Sequence, residues 1–505
     1  MLHGATITSR ALRRTTRLVR YNHSDAGEQV CRVLRERSSV KSFSSEPVDD
    51  AVLTDILRIV QRAPSGFNMQ PYAVVLVREQ ADRDRLASAM LASNGQPSKR
   101  VPRIQKLMYD NGASAAEINN LPLFVRLFSG EGHLAGGIRS LISTVMSPLQ
   151  AVPSNVPTIA WSFKQTTFAA SSFLYAAKSY GLATCPMEGF DEQRLKAALD
   201  IPDRYAVPVV VCCGYPGADH VSTRPATPRL EPEEVFFDGK FGQSSAHLFT
   251  HGDPSGSAHS TNSPPSAHTT ITTMSSSIEV FSELLNERAS IREYEEKAIP
   301  DEIVADLLRL TQASRGCNVS TQRAPTAFNT QPYVAIIARS AEDRQRLEPA
   351  MLASNKAKVT GAPLVVAFAA DLEVSKSVPR LQELMRAGGA PEGFVNFLPL
   401  YIQGNAHEGK PEGLAWAYKQ TSIAAATFLY AAEAYGLATC PMEGFDQEEI
   451  KKALGLTDRY SVPIVISVGY AKEGTQARAS ARRPPTDIVF EGQYGNSAAS
   501  LFEKK

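Results

Sequence analysis

The sequence predicts a mixed helix-and-sheet fold, α+β or α/β, formed by two tandem copies of one unit. The segment GLATCPMEGFD occurs twice, letter for letter, at 181–191 and 436–446. The period of about 255 residues is that of a whole domain, far longer than the repeat of a solenoid. Within each copy, helical apolar patterns alternate with short apolar runs of strand length. This alternation indicates a sheet covered by helices.

Further anchors recur in the same order in both copies. The stretch Trp161–Tyr180 matches Trp416–Tyr435, so the only two tryptophans occupy the same repeat position. RAPSGFNMQPY at 62–72 pairs with RAPTAFNTQPY at 323–333. A tandem duplication is the interpretation that these matches favour.

The repeat sets the predicted domain boundaries. We predict a first domain over 25–249, a second over 278–505 and a flexible linker over 250–277, a segment rich in Ser, Thr, Pro and Gly. Residues 1–24 are Arg-rich, hydroxyl-rich and free of acidic residues, which is typical of a mitochondrial transit peptide. The alternative is a disordered basic tail on a cytoplasmic protein.

Composition excludes several classes of protein. The chain has 505 residues, of which 43% are hydrophobic, and its net charge of +1 argues against a nucleic-acid-binding surface. No apolar run approaches the roughly 18 residues that a membrane span needs. The six cysteines include no CxxC pair, so neither a disulfide scaffold nor a structural zinc site is expected.

The elements of copy two follow in order from its apolar patterns. A helix is predicted to begin at Pro300, since proline is favoured in the first turn, with Ile303, Leu307, Leu308 and Leu310 on its apolar face. The remaining predicted elements are a turn with Pro325 and Asn329, a strand Tyr333–Arg339, a helix Asp343–Ala353, a strand Leu364–Ala370, a helix Leu414–Tyr435, a helix Glu448–Leu454 and a strand Val462–Val468.

The helix Leu414–Tyr435 is apolar on nearly all sides, which predicts burial on several faces. Gly436 ends it as a C-terminal cap. In a chain of two copies, this pattern favours packing of the copies against each other along the helix. The alternative is a core helix of a single copy.

The two copies differ in length at three places. Copy one is 16 residues shorter between Asn94 and Val101, opposite the apolar run GAPLVVAFAAD at 361–371. Copy two has ten extra residues near 313–322, and copy one has 22 extra residues at about 124–157. Copy one is therefore expected to lack a core strand, unless the translated sequence misses an exon.

No set of catalytic side chains stands out. The sequence contains no GxSxG, HExxH, P-loop or GxGxxG motif, so a bound cofactor is expected to carry the chemistry. The segments RSSVK at 37–41 and RASIR at 288–292 place two cations and a hydroxyl within five residues, a set that suits a phosphate. A solvated surface cluster is the alternative for either segment taken alone.

Together these motifs resemble the FMN-dependent nitroreductase family of the oxygen-insensitive NAD(P)H type. The resemblance covers roughly residues 30–249 and 278–502 and rests on RSSVKSF and RASIREY, APSGFNMQPY and APTAFNTQPY, the W-x-x-K-Q helix, the PMEGFD loop and the basic segments that end at Arg229 and Arg482. It implies an α+β fold in which two units form a dimer with an FMN site at each end of the interface. A fused pair would form that dimer within one chain.

The resemblance also implies cofactor-binding residues in each copy. Copy one would contribute Arg37, Ser38, Ser39, Lys41, Asn94, Pro186, Glu188, Gly189 and Arg229 to one FMN, with Pro64, Ser65, Asn68 and Gln165 crossing to the other. Copy two would contribute Arg288, Ser290, Arg292, Asn355, Lys358, Pro441, Glu443, Gly444 and Arg482, with Pro325, Thr326, Asn329 and Gln420 crossing back. Arginines, serines and Lys41 would hold the phosphate and ribityl groups, and the Pro-Met-Glu-Gly loop would lie at flavin N5.

The implied reaction is a ping-pong transfer of hydride from NAD(P)H through the flavin to a nitroaromatic or quinone acceptor. No metal, nucleic acid or membrane is implied. Two alternatives remain: reductive dehalogenation or ene reduction on the same scaffold, and a flavin-binding protein without turnover.

Overall fold

The computed structural model describes residues 25–90, 157–218, 228–249, 280–284, 288–312, 325–475 and 482–503. The predicted targeting segment 1–24, the linker 250–277, Asn94, the copy-two insertion near 313–322 and most of the copy-one insertion lie outside the described residues.

Copy one contributes seven described helices and four described strands. They are α1 (Asp25–Glu36), α2 (Asp50–Val60), β1 (Val74–Leu76), α3 (Gln80–Ala89), α4 (Thr158–Ser179), β2 (Ala183–Met187), α5 (Glu192–Leu199), β3 (Val210–Gly214), α6 (Pro232–Val235), β4 (Phe236–Asp238) and α7 (Ala246–Phe249).

Copy two contributes the remaining elements of the described chain. They are α8 (Asp301–Gln312), β5 (Tyr333–Ala338), α9 (Ala341–Leu347), α10 (Ala353–Thr360), β6 (Leu364–Asp371), α11 (Val378–Ala387), α12 (Glu392–Asn405), α13 (Pro411–Ala434), β7 (Ala438–Met442), α14 (Gln447–Leu454), β8 (Tyr460–Gly469), β9 (Val489–Glu491) and α15 (Ser500–Glu503).

The largest sheet has the strand order β4-β5-β6-β8-β7. Its central strand β6 runs antiparallel to both β5 and β8. The edge strand β4 belongs to copy one and pairs in parallel with β5, with Phe236 opposite Ala335. Conversely, β9 of copy two pairs in parallel with β1 of copy one, with Val74 opposite Val489. Each copy therefore adds its C-terminal strand to the sheet of the other.

The long helices α4 and α13 pack against each other at the interface between the copies. The Tyr175 hydroxyl lies 2.6 Å from Thr427 Oγ1, and Ser172 Oγ lies 2.5 Å from the Tyr430 hydroxyl. All four side chains are buried, so each hydroxyl finds its partner in the other copy, as buried polar groups must. The predicted packing of the copies along this helix is confirmed.

The apolar run of copy two that has no counterpart in the copy-one sequence forms β6. All eight of its residues are buried. In the described part of copy one, β2 and β3 form a separate two-stranded sheet and β1 pairs only with β9. The residues of β3 are consequently half-buried over Val210–Cys213, where β8 is buried almost throughout.

The prediction of a single helix over Asp343–Ala353 was wrong. The helix α9 ends at Leu347, a 3₁₀ turn spans Glu348–Ala350, and α10 begins only at Ala353. Pro349 lies within this turn and lacks the N–H that an α-helix would need there. The helices α11 and α12 were not predicted.

Candidate functional site

The sequence-predicted residues gather at two places where the copies meet. Site A combines copy-two residues with copy-one residues; its members are Arg288, Ser290, Arg292, Asn355, Lys358, Pro441, Glu443, Gly444 and Arg482 together with Pro64, Ser65, Asn68 and Gln165. Site B is the reciprocal combination of Arg37, Ser39, Lys41, Pro186, Glu188, Gly189 and Arg229 with Pro325, Thr326, Asn329 and Gln420. Asn94, which was also predicted to bind this FMN, lies outside the described residues.

The cation–hydroxyl–cation segments are extended in both copies. Ser39 pairs in parallel with Thr184, and Ser290 with Thr439. Hydrogen bonds from Val40 N to Thr184 O (2.9 Å) and from Ile291 N to Thr439 O (3.0 Å) fix this pairing. Because side chains alternate along an extended chain, the two cations and the central serine of each segment share one face. Ser38 falls on the opposite face.

Positive charge accumulates around Arg482 in site A. Burial lowers the pKa of Arg482 to about 10, and the charges of Arg62 and Arg288 act in the same direction. The buried Nη1 of Arg288 and Nε of Arg482 have no hydrogen-bond partner. Buried donors of this kind are costly unless they are paired. The arrangement fits a phosphate dianion, which would accept from several guanidinium groups at once.

The loop with Asn68 has backbone strain that repeats in copy two. Asn68 and Gln70 in copy one, and Asn329 and Gln331 in copy two, have positive φ angles of 44–58°. Such strain concentrates at functional sites. Ser65 Oγ accepts from Gln70 N at 3.0 Å, and Thr326 Oγ1 accepts from Gln331 N at 3.1 Å. Both hydroxyls thus hold the loop in shape.

An arginine of the opposite copy contacts each of these asparagines. Arg482 donates to Asn68 Oδ1 in site A, and Arg229 donates to Asn329 Oδ1 in site B. The amide oxygens of the two asparagines thereby orient the arginines.

A carboxylate of each Pro-Met-Glu-Gly loop contacts the long helix of the other copy. Glu443 accepts from Gln165 Nε2 (2.6 Å) and Trp161 Nε1 (2.9 Å) and lies 3.3 Å from Lys164 Nζ. Glu188 repeats these contacts with Gln420 (2.7 Å), Trp416 (3.2 Å) and Lys419 (2.9 Å). The amide oxygens of the two glutamines accept from Gly66 N (2.9 Å) and Ala327 N (3.0 Å). Each glutamine therefore joins a loop of its own copy to the other copy's glutamate.

Sequence reasoning missed the tryptophans and lysines of this network. The repeated motif W-x-x-K-Q at 161–165 and 416–420 could have identified them. On a helix, positions i, i+3 and i+4 lie on one face, so the three side chains can reach one carboxylate.

In site A, a polar chain of two hydrogen bonds links Lys358 through Asn355 to Gly444. Lys358 Nζ donates to Asn355 Oδ1 at 2.6 Å, and Asn355 Nδ2 donates to Gly444 O at 3.0 Å. Burial and the charge of Arg292 lower the pKa of Lys358, against an opposing effect of Cys440. A Cβ at Gly444 would lie 2.8 Å from Asn355 Nδ2, so a side chain there would push the amide away. In copy one the sequence has no clear counterpart of Lys358.

Aromatic side chains lie beside site B. Phe328 stacks on Tyr401 of α12 with ring centroids 3.6 Å apart, and on Phe394 at 5.4 Å. Burial and the negative charge of Glu188 raise the pKa of Tyr401. Phe328, against which Tyr401 stacks, directly precedes Asn329 of site B in the chain. The described residues contain no group of three or more side chains that could hold a metal ion. None of the described helices has the length and apolar character of a membrane span.

A model of the nitroreductase family matches residues 34–215 and 285–470. A Thermus thermophilus protein named NADH dehydrogenase is 31% identical over 188 residues, which cover 37% of this chain and 85% of that protein. A Bacillus subtilis protein provisionally named an NAD(P)H nitroreductase is 29% identical over 191 residues, covering 37% of this chain and 88% of that protein.

Among solved structures, a protein from Exiguobacterium sibiricum, provisionally named a nitroreductase and crystallised with FMN, is 24% identical with a TM-score of 0.36. The match covers 41% of this chain and 94% of that one. A nitroreductase family protein from Streptococcus pneumoniae is 20% identical with a TM-score of 0.36, over 41% of this chain and 98% of that chain.

Proposed function

The chain belongs to the nitroreductase family, and on that premise we propose that it is an FMN-dependent oxidoreductase. It would take hydride from NAD(P)H and pass it to an aromatic nitro compound or a quinone. FMN, when bound, supplies a ring that accepts a hydride and later releases it to a second substrate. The protein binds and orients that ring, and no side chain is required to exchange a proton with the substrate.

The observation that carries this proposal is the arginine cluster of site A. Arg288 is buried and Arg482 is half-buried. The buried atoms Nη1 of Arg288 and Nε of Arg482 have no hydrogen-bond partner, and the charges of Arg62 and Arg288 act on Arg482. A phosphate group would pair these donors and remove their mutual repulsion. Arg292 and Ser290 extend the same face toward the sheet, so the ribityl chain would follow them.

The polar chain of site A would hold the ring end of the cofactor. Lys358 positions Asn355, and Asn355 holds the Gly444 carbonyl. The absence of a side chain at Gly444 lets the backbone approach a planar ring closely. Cations near a ring that gains negative charge on reduction stabilise its reduced form.

The aromatic wall beside site B supports an aromatic acceptor. Phe328, Tyr401 and Phe394 present flat apolar faces, and offset stacking of such faces with a planar substrate contributes about 0.5–1.5 kcal/mol per ring pair. Stacking discriminates poorly among planar molecules, so we expect the enzyme to accept a broad range of them.

An anaerobic titration of the purified, flavin-loaded protein with NADPH, and in parallel with NADH, tests this function. We expect the flavin absorbance to bleach and then to return when a nitroaromatic compound or a quinone is added. The equivalents consumed count the working sites in each chain. Preference for a halogenated phenol would identify dehalogenation as the reaction, and bound flavin that neither nucleotide bleaches would identify a binding protein without turnover.

The matched variants Arg288→Glu and Arg37→Glu assign the sites. Each reversal of charge should remove the flavin from its own site and leave the other titrating. Unchanged flavin content in Arg288→Glu would contradict the assignment of the phosphate to site A, whatever the fate of the reductase activity.

A further inference from the structure

Two cysteines face each other across the small sheet of copy one. Cys185 of β2 is the register partner of Cys212 of β3, and side chains of facing residues lie on the same side of a sheet. Thr184 O accepts from Val40 N, so the main chain of Thr184 points away from β3 and that of Cys185 points toward it. Cys185 and Cys212 are then a hydrogen-bonded pair, with Cα atoms about 5.5 Å apart. This lies inside the range of about 4.4–6.8 Å found for disulfides.

Both thiols are free and accessible. Cys212 Sγ lies 3.9 Å from Met187 Sδ, and Cys185 Sγ lies 4.0 Å from Pro186 O. Rotation about the Cα–Cβ bonds is the movement that would bring the sulfurs together. Each cysteine is half-buried, so a small polar oxidant can reach it.

Copy two lacks this arrangement. Its equivalent cysteine, Cys440, faces Ser467, and both residues are buried, with 4% and 0% exposure. On its other side Ser467 pairs with Val365 of β6. No described strand covers β3 in this way, and the cysteine pair is accessible for that reason.

Cys185 and Cys212 have different charged neighbours. Burial raises the pKa of both thiols, but Lys41 and Arg37 act against this increase at Cys185 only. Cys185 is therefore the better nucleophile of the two. Cys213, the neighbour of Cys212, faces Thr184 and packs against the main core, so it is not a competing partner.

We propose that Cys185 and Cys212 form a dithiol site that hydrogen peroxide closes into a cross-strand disulfide. The Cys185 thiolate attacks the peroxide: an S–O bond forms, the O–O bond breaks, and the released hydroxide takes a proton to become water. The Cys212 sulfur then attacks the Cys185 sulfur: the S–S bond forms, the S–O bond breaks, and a second water leaves. The two thiols lose two electrons and two protons, and the peroxide is reduced to two waters.

The experiment exposes the full-length, flavin-loaded protein to hydrogen peroxide, blocks the remaining thiols with N-ethylmaleimide and maps the cysteines by mass spectrometry. We expect a linked peptide containing Cys185 and Cys212, lighter by two hydrogens than the sum of its parts and separated by dithiothreitol. The rate should rise about tenfold per pH unit while the thiol remains mostly protonated, because the thiolate is the reactive form.

Cys185→Ser and Cys212→Ser should each abolish the link, and Cys440→Ser should leave it intact. A second measurement needs no oxidant: phenylarsine oxide bridges two neighbouring thiols with loss of one water, and it should label the unmodified protein but neither variant. Separate alkylation of both cysteines after peroxide treatment, a link to a cysteine of another molecule, or the absence of arsenical labelling at this pair would each overturn the proposal.

Discussion

At the scale of single residues, the interface depends on a lysine that each copy inserts into the other. Lys164 and Lys419 are almost fully buried, and each donates to a proline carbonyl of the opposite copy, Pro463 at 2.9 Å and Pro208 at 3.1 Å. Each also pairs with the opposite copy's glutamate. A buried ammonium is tolerated only with such partners, so the glutamates are structural as well as being parts of the sites.

Glu443→Gln tests this role, because the amide keeps the shape and removes the charge. Burial lowers the pKa of Lys164, and Glu443 opposes that shift. We expect the variant to lose about 2–5 kcal/mol of unfolding free energy near neutral pH, as for one partner removed from a buried charge pair. Urea titrations monitored by circular dichroism provide the measurement.

The pH dependence of that loss has a definite sign. Where the folded pKa of Lys164 lies below its unfolded value, the unfolded chain binds more protons and stability rises with pH. Without Glu443 the folded pKa of Lys164 falls further, so the pH range over which stability rises with pH begins at a lower pH. The loss of unfolding free energy in the variant therefore shrinks as the pH rises toward the ordinary lysine pKa. The matched change Glu188→Gln should also lower the free energy of unfolding near neutral pH, because it removes the carboxylate partner of Lys419. A loss in Glu443→Gln that is independent of pH would contradict the argument.

At the scale of elements, β6 sets the difference between the copies. Phe428 of α13 is fully buried and packs edge-on against Phe368 of β6, with ring centroids 5.7 Å apart. Its counterpart in α4 is Phe173, which is only partly buried. The same helix position is therefore part of a complete core in copy two and of a thinner one in copy one.

The matched pair Phe428→Ala and Phe173→Ala should separate the two environments. We expect the first to lower the unfolding free energy by about 3–5 kcal/mol, the cost of a large cavity in a closed core. The second should lower it by about 1–2 kcal/mol, because less apolar surface is withdrawn from water there. Equal losses in urea titrations would show that copy one is as tightly packed as copy two.

Elements with strong local patterns were predictable from the sequence. The strand Leu364–Ala370 is observed as Leu364–Asp371, and the long helix predicted over Leu414–Tyr435 runs over Pro411–Ala434. The helix α12 was not predicted because Pro399 lies inside it, and proline normally argues against a helix. The strands β4 and β9 have three residues each, too few for a periodic signal, and form only because the other copy offers a partner strand.

The candidate sites were predictable in part for the same reason. Motifs within one copy located Arg288, Asn68 and Gly444, since the repeated sequence marks them. The contacts of Glu443 with Trp161 and Lys164 join residues almost 300 positions apart along the chain. Sequence periodicity within one copy carries no information about contacts between the copies, so these contacts are seen only in the structure.

At the scale of the whole molecule, the copies are joined by structure as well as by covalent connection. Two exchanged strands, β4 and β9, and the buried contact of α4 with α13 cross between them. These contacts involve main-chain hydrogen bonds and closely packed apolar surface, both of which survive loss of a distant peptide bond.

A protease site placed within residues 250–277 tests that conclusion. After complete cleavage, confirmed on a denaturing gel, we expect the two fragments to elute together from a size-exclusion column at the position of the intact chain. Flavin content should also be retained, because each site draws residues from both fragments. Elution as two separate peaks would show that the connection, rather than the interface, holds the copies together.

The exchange of terminal strands has a consequence for how the two halves can evolve. In a symmetric pair made from one short gene, any deletion appears in both halves at once, and no intact half remains to compensate. Here the halves are inherited together but mutate separately. The sequence of copy one is 16 residues shorter opposite β6, while the described part of copy two has a sheet with β5, β6, β8 and β7. Copy two supplies β9 to copy one, and copy one supplies β4 to copy two. Because these exchanged strands hold the halves together, natural selection can remodel one half without dismantling the molecule.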